Sequence, residues 1–477
     1  MSKYNKLTKE MVAELQQIVG DRNVIYDDQG KLETYSHDEV NDEQYAQMPD
    51  IVIKPENAEE ISKIMKLANR ENVPVTPRGA GSGLSGGAVP VEGGIVLSLE
   101  RMDKIIEIDE DNLIAVVEPG VITNEINELI AEKGLFYAGY PMSVESCFIG
   151  GNVAENAGGG RAVKYGVTGR YILGLEMVTP EGEIIHLGGK RVKDVVGYDL
   201  VKLMVGSEGT LGIFTKIYLK LLPLPQHTVN LLVLYEDIET AIKQVPPILT
   251  DSKTLPTAIE FMDKESVLLV YKYLNEHLPL KGANAMLLIE LDGSDEDVIE
   301  KAYHDIGDKC LENGALEVYV ANSATTRERV WRIRRNIPEA IQTYSEYKSS
   351  EDIVVPIANI PDFLIKSREI AKNNGVDIYC FGHAGDGNIH STIVKRSEME
   401  KAEWDEQLEK TRSLIFEETV KMGGTISGEH GIGNKRKKYM KNIMKPATLE
   451  LMRRVKLAFD PNNILNPGKI FDTGNDE

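Results

Sequence analysis

Two long glycine-rich runs in the first half of the chain constrain its fold more than any other feature: TPRGAGSGLSGG at residues 76–87 and IGGNVAENAGGG at residues 149–160. Glycine costs stability wherever its conformational freedom is unused. Two such runs among short β-rich segments therefore point to loops that let backbone approach a ligand closely. Within the first run, Gly81-Ser-Gly83-Leu-Ser-Gly86 matches the G-x-G-x-x-G dinucleotide pattern, and Glu100 sits about where a ribose-binding acid would lie. That fold needs a helix directly after the glycines, because its N-terminus holds the pyrophosphate. Here AVPVEGGIVLSLE follows, which reads as turns and a strand, so the Rossmann reading fails. A loop of successive backbone N–H groups can still form an anion-binding nest without any helix.

Around these loops, short strands are expected at 51–53, 73–76, 95–99, 114–118, 172–179 and 213–222, ending at the proline-punctuated LPLPQ of 222–226. A helix with Ile61, Ile64 and Met65 on its apolar stripe should begin at Asn57, with Glu60 as a capping-box partner. Beyond residue 226, short strands alternate with longer amphipathic helices, an α+β pattern suggesting antiparallel strands with helices on one face. A chain of 477 residues exceeds one ordinary hydrophobic core, so at least two domains are expected. The net charge of −21 argues against nucleic acid, which needs clustered Lys and Arg. Three cysteines without CxxC spacing argue against an iron–sulfur cluster or a disulfide framework. The longest apolar stretches are strand-sized and the N-terminus is polar, so no membrane span and a cytoplasmic location are expected.

A second constellation lies near the end: His383 and His390 in FGHAGDGNIH, and Glu429 and His430 in SGEHGIG. His383 and His390 flank a Gly-rich turn and could face one point from a strand-turn-strand. Two imidazoles and a carboxylate with open positions form a common divalent catalytic-metal set. Asp386 and Asn388 could orient the ligands or merely pin the turn, and a histidine beside a metal-held hydroxyl is suited to take a proton. Trp331-Arg-Ile-Arg334 adds arginines, which could equally form a solvated basic helix face.

Residues 78–87, 150–160 and 206–213 (GSEGTLGI) closely resemble the FAD-binding domain of the vanillyl-alcohol oxidase, or PCMH-type, flavoprotein superfamily. The histidine motifs, with LNPGK at 465–469, extend the resemblance to its FAD-linked oxidase C-terminal branch, which includes D-lactate dehydrogenases, glycolate oxidase catalytic subunits and D-2-hydroxyglutarate dehydrogenases. The implied fold is α+β, with a two-subdomain PCMH-type FAD domain, an α+β cap domain carrying an antiparallel sheet, and a C-terminal segment returning to the FAD domain. Implied boundaries are 1–45 for an N-terminal helical segment, 46–224 for the FAD domain, 225–422 for the cap, and 423–477 for the returning segment.

The resemblance implies FAD contacts from Arg78, Gly79, Gly81, Ser82, Gly83 and Leu84 in the first loop, and from Pro141 and Ser143 before the second. Within and after that second loop it implies Gly150, Gly151, Asn152, Asn156, Gly158, Gly159 and Gly166, then Glu208, Gly209 and Ile213, and finally Asn466. Many relatives attach FAD covalently through a histidine in the first loop; none is present here, so non-covalent FAD is expected. The resemblance further implies a divalent metal (Zn, Fe or Mn) on His383, His390 and Glu429, His430 as base, and Arg334 on the substrate carboxylate. D-2-hydroxyglutarate dehydrogenases carry a threonine four residues after that arginine. Pro338 stands here and has no hydroxyl, which favours a smaller acid such as D-lactate or glycolate. The expected activity is FAD-dependent oxidation of a small (R)-2-hydroxy acid. Electrons would pass to an acceptor protein, such as an electron-transfer flavoprotein or an Fe–S subunit, in a homodimer or hetero-complex. The alternatives are a glycolate oxidase catalytic subunit and a non-catalytic FAD-binding subunit of a larger oxidase.

Overall fold

In the computed structural model, which describes residues 3–40, 43–251 and 254–473, the helix expected at Asn57 spans Ala58–Glu71. The Asn57 side chain accepts from the Glu60 N–H at 2.9 Å. The Glu60 carboxylate reaches back to the N–H of Glu56 rather than to that of Asn57. Asn72, left-handed at φ +52°, ends the helix. Ile61, Ile64 and Met65 are fully buried and pack with Leu15 of the helix Lys9–Val19.

The chain divides into two compact units. The first comprises Met1–Gly158, Val167–Leu224 and Glu429–Glu477; the second comprises Gly159–Gly166 and Pro225–Gly428. Unit 1 holds two main sheets. One runs Val24–Ile25, Ile51–Ile53, Ile95–Ser98, Val75–Arg78, and its last three strands are parallel. The tail joins its free edge: the Val75 N–H donates to Ile464 O and Val75 O accepts from the Asn466 N–H. The other sheet is antiparallel, in the order Ile105–Asp109, Ile114–Val117, Ile213–Lys220, Ile172–Val178, Ile184–Gly188.

Unit 2 is built on a seven-stranded antiparallel sheet, ordered Ala315–Ala321, His227–Tyr235, Ala285–Gly293, Ala258–Asp263, Asp377–His383, Asn388–Val394, Lys348–Val354. Leu232, Met286, Leu288 and Met262 on one face pack on Val330, Trp331, Val267 and Val270 of covering helices. Residues of the opposite pleat, Leu231, Val233, Leu287, Ile289 and Phe261, are also essentially inaccessible. Both faces are therefore covered, not one as the helix pattern suggested, and such doubly buried strands read as continuous apolar runs instead of alternating ones.

Residues 149–160 also depart from the expected continuous loop, since Ile149–Glu155 is a helix. Gly150 and Gly151 occupy its first turn, where N–H groups need no intrahelical acceptor. Gly150 is required there, because a Cβ would lie 2.5 Å from Pro119 Cβ.

Candidate functional site

In unit 1 the three glycine segments and the tail converge. A Cβ on Gly79 would lie 3.8 Å from the backbone of Gly151, so the first loop and the helix Ile149–Glu155 meet through glycines. That helix's Val153 and Ala154 carbonyls accept from the N–H groups of Gly206 and Glu208. Asn156, at φ +55°, accepts the Gly169 N–H on Oδ1 at 2.8 Å. Asn466 Nδ2 donates to Gly87 O at 3.0 Å and to Glu208 O at 2.8 Å, tying the first and third segments together. Gly209, at φ +67°, packs on Pro77, and Ile213 starts the strand that follows.

Other members of the expected set are less central. Asn152 Nδ2 donates to Thr123 Oγ1 at 2.8 Å. Ser143 O accepts from Ser146 and Cys147, beyond Pro141 in the same turn. A Cβ on Gly158 would lie 2.9 Å from Glu429 Oε2. Gly159 and Gly166 belong to unit 2. Arg78 is buried and donates to His37 O at 2.7 Å. Glu100, the residue at the Rossmann spacing, is instead held by Lys54, Tyr35 and Ser98.

The first loop suits a pyrophosphate. Among the described residues, the backbone N–H groups of Ala80, Gly81, Ser82, Gly83, Leu84 and Ser85 meet no acceptor in the chain. Gly86 N–H is already taken by Asp38 Oδ2 at 2.8 Å, a residue the sequence did not single out. Successive unpaired N–H groups in a small-residue loop form a nest for an anion, which is what the FAD pyrophosphate requires.

Beside this nest lies a crowded buried acid pair. Glu208 accepts from the N–H groups of Ile432 at 2.8 Å and Gly433 at 2.6 Å. Glu155 has a buried Oε2 without a hydrogen-bond partner. Burial pushes the Glu155 carboxyl well above the usual range, and the negative Glu208 and Asp38 push it further. A carboxyl raised on folding binds more protons in the native state, so its contribution to stability falls as pH climbs through the window above the ordinary carboxyl value. Glu155→Gln should therefore stabilise the protein by about 1–3 kcal/mol, with a larger rise in melting midpoint at about pH 8 than at about pH 5. Thermal melts at both pH values check this; equal midpoint shifts would contradict it.

In unit 2, strand register gathers the histidines. Glu260 lies opposite His383, Phe381 opposite His390, and Asp352 opposite His390. Residues opposite each other, or two apart along a strand, share a face. Glu260, His383, His390 and Asp352 thus share one face, and all are buried. His383 Nδ1 lies 2.7 Å from Glu260 Oε1, and His383 Nε2 lies 3.4 Å from His390 Nε2. His390 Nδ1 is 3.8 Å from Asp352 Oδ1. Asp352 is held by Asn388 Nδ2 on Oδ1 and by the Ser427 hydroxyl and Gly428 N–H on Oδ2, each at 2.8 Å. Asn388 N–H in turn bonds Asp386 Oδ1, pinning the turn between the histidines.

The helix Ala324–Arg335, N-capped by Ser323, adds Arg334. Its Nε donates to Glu260 Oε2 at 2.7 Å, with Nη2 equally close to that oxygen, and its guanidinium lies 4.9 Å over the Phe381 ring. Arg332 and Arg335 are far more exposed and pair with Glu276 and Glu328. Burial would raise the Glu260 carboxyl, but the charges of His383 and Arg334 outweigh it and hold it below its usual range. The segment 159–166 is stapled to the same sheet. Arg161 pairs with Glu290, Lys164 and Tyr165 both meet Asp292, and Trp331 Nε1 donates to Glu290 at 2.9 Å.

Two imidazole nitrogens facing each other at 3.4 Å, both buried, match the separation of two ligands on one ion. That donor set fits a divalent metal. Of the remaining expected residues, Glu429 and His430 belong to unit 1, with Glu429 Oε1 at 3.8 Å from His430 Nε2. Gly431, at φ +80°, follows them; a Cβ there would lie 2.0 Å from Glu155 Oε2.

Residues 224–470 match the C-terminal domain of FAD-linked oxidases, and residues 49–188 match an FAD binding domain. The chain belongs to the FAD-linked oxidase family. It is 42% identical to glycolate oxidase subunit GlcD of Bacillus subtilis (strain 168) over 98% of this chain and 97% of that protein. It is 37% identical to D-lactate dehydrogenase of Anaerostipes hadrus, over 98% of each. Among solved structures, p-cresol methylhydroxylase with substrate bound shares the fold at a TM-score of 0.81 and 18% identity, over 99% of both chains. No helix among the described residues is long and apolar enough to cross a membrane.

Proposed function

We propose that this chain oxidises a small (R)-2-hydroxy acid, D-lactate foremost, to the 2-oxo acid, with non-covalent FAD and a divalent metal. The observation that carries the reading is the buried face on which His383 and His390 converge beside the Arg334–Glu260 pair. When bound, FAD supplies the acceptor for the two electrons and the carbon-bound hydrogen. When bound at His383, His390 and Glu429, a divalent ion supplies a Lewis acid that makes the substrate hydroxyl easier to deprotonate.

The chain's own residues do the rest. Arg334 grips the substrate carboxylate: its Nε donates to Glu260 Oε2, while its buried Nη2 has no hydrogen-bond partner among the described residues. His430 takes the hydroxyl proton. The glycine loops, with Asn466 as their tie, seat the cofactor. The chain's three cysteines are buried and separate, so onward electron transfer falls to a partner such as an electron-transfer flavoprotein.

The relatives named for glycolate and for D-lactate both support a short monocarboxylate. So does the pairing of Arg161 with Glu290 and of Lys164 with Asp292, which leaves neither cation unpaired for a second carboxylate. Pro338, in the first turn of the helix Ile337–Tyr344, offers no hydroxyl for one either. Steady-state kinetics with D-lactate, glycolate and D-2-hydroxyglutarate test this. D-lactate should show the highest kcat/KM, exceeding D-2-hydroxyglutarate by about tenfold or more, since each 1.4 kcal/mol of lost contact is a factor of ten. A preference for the dicarboxylate would overturn the proposed substrate.

A further inference from the structure

We infer that Glu260 is a positioning residue that serves both halves of this site at once: Oε1 fixes the tautomer of His383, and Oε2 aims Arg334. The inference rests on the proposed function, in which His383 holds an ion and Arg334 holds the substrate carboxylate. A carboxylate 2.7 Å from His383 Nδ1 places the ring proton on that nitrogen. Nε2 is then left with its lone pair, directed toward His390 Nε2 at 3.4 Å. A carboxylate behind a ligating imidazole also makes the imidazole more basic and sets the plane of its ring. The other oxygen neutralises a guanidinium that, buried as it is, would otherwise be an uncompensated charge.

Glutamine cannot replace both functions. Its amide offers one acceptor oxygen where the carboxylate offers two, so an N–H group must face either His383 or Arg334. The oxygen on His383 also has little room to move. A Cβ on Gly160 would come within 2.9 Å of Glu260 Oε1. The backbone of Gly160 is not in the left-handed region, so an alanine there acts through this contact and not through strain.

The test uses full-length, FAD-loaded protein stripped of metal with a chelator. Zn²⁺ is titrated in by calorimetry, and KM and kcat for D-lactate are then measured at saturating Zn²⁺. Glu260→Gln should weaken Zn²⁺ binding by about 10–100-fold and raise KM more than it lowers kcat, with flavin content unchanged. Arg334→Met should raise KM without weakening Zn²⁺ binding, which separates the two oxygens' roles. Gly160→Ala keeps the charge pair and disturbs the oxygen on His383; it too should weaken Zn²⁺ binding, and it decides the matter if Glu260→Gln does not fold. Wild-type affinity for Zn²⁺ in folded Glu260→Gln and Gly160→Ala would overturn the role of Glu260 alone. A wild-type protein that takes up no divalent ion would instead overturn the reading beneath it.

Discussion

Alanine at His430 is expected to leave a folded, yellow protein whose turnover of D-lactate falls by about 10²–10⁴-fold, the usual contribution of a positioned general base. The side chain is about one-sixth exposed and is followed by Gly431, at φ +80°. It is not part of the core, so its loss should cost function and little stability. Flavin content separates the two, because the loops proposed to hold FAD are tied by Asn466, Glu208 and Gly206. Turnover near the wild-type level in a fully FAD-loaded His430→Ala protein would end its assignment as the base.

Removing one of the paired imidazoles should have a comparable effect by another route. His383→Ala deletes one of two nitrogens 3.4 Å apart and leaves Glu260 without its histidine. The variant should lose divalent-ion binding and at least about 10²-fold in turnover, while retaining FAD. Chelation of the wild-type protein should reproduce the loss, and added Zn²⁺ or Mn²⁺ should restore the wild type but not the variant. Full activity of the metal-free wild type would remove the ion from the scheme.

Part of the candidate site is legible in the sequence, for physical reasons that also explain why the rest is not. The glycine runs were legible because close backbone approach demands glycine whatever surrounds it. The histidine hairpin was legible because a Gly-rich turn between two histidines forces both onto adjacent strands. Glu260 and Asp352 were not. Each sits in a strand whose neighbours are apolar or unremarkable (AIEFMD and KSSEDIV), and each acquires its meaning from register with a strand far away in sequence. Glu260 and His383, for example, are separated by 123 residues. Local patterns cannot carry such information. Arg334 could not be told from Arg332 and Arg335 by spacing; packing distinguishes it, since it is the buried one of the three. The helix Ile149–Glu155 was hidden by the two glycines in its first turn. The attachment of residues 159–166 to the second unit likewise depends on ion pairs with Glu290 and Asp292 that nothing in the segment itself announces.

The most direct measurement is anaerobic: the visible absorption of purified, metal-loaded protein is followed as D-lactate and then, in a separate sample, L-lactate is added. The account predicts an oxidised flavin spectrum that bleaches with the D-enantiomer, persists with the L-enantiomer, and no longer bleaches after the metal is stripped. A colourless preparation that still oxidises the acid, or a bound flavin that stays oxidised with every short 2-hydroxy acid tried, would contradict it.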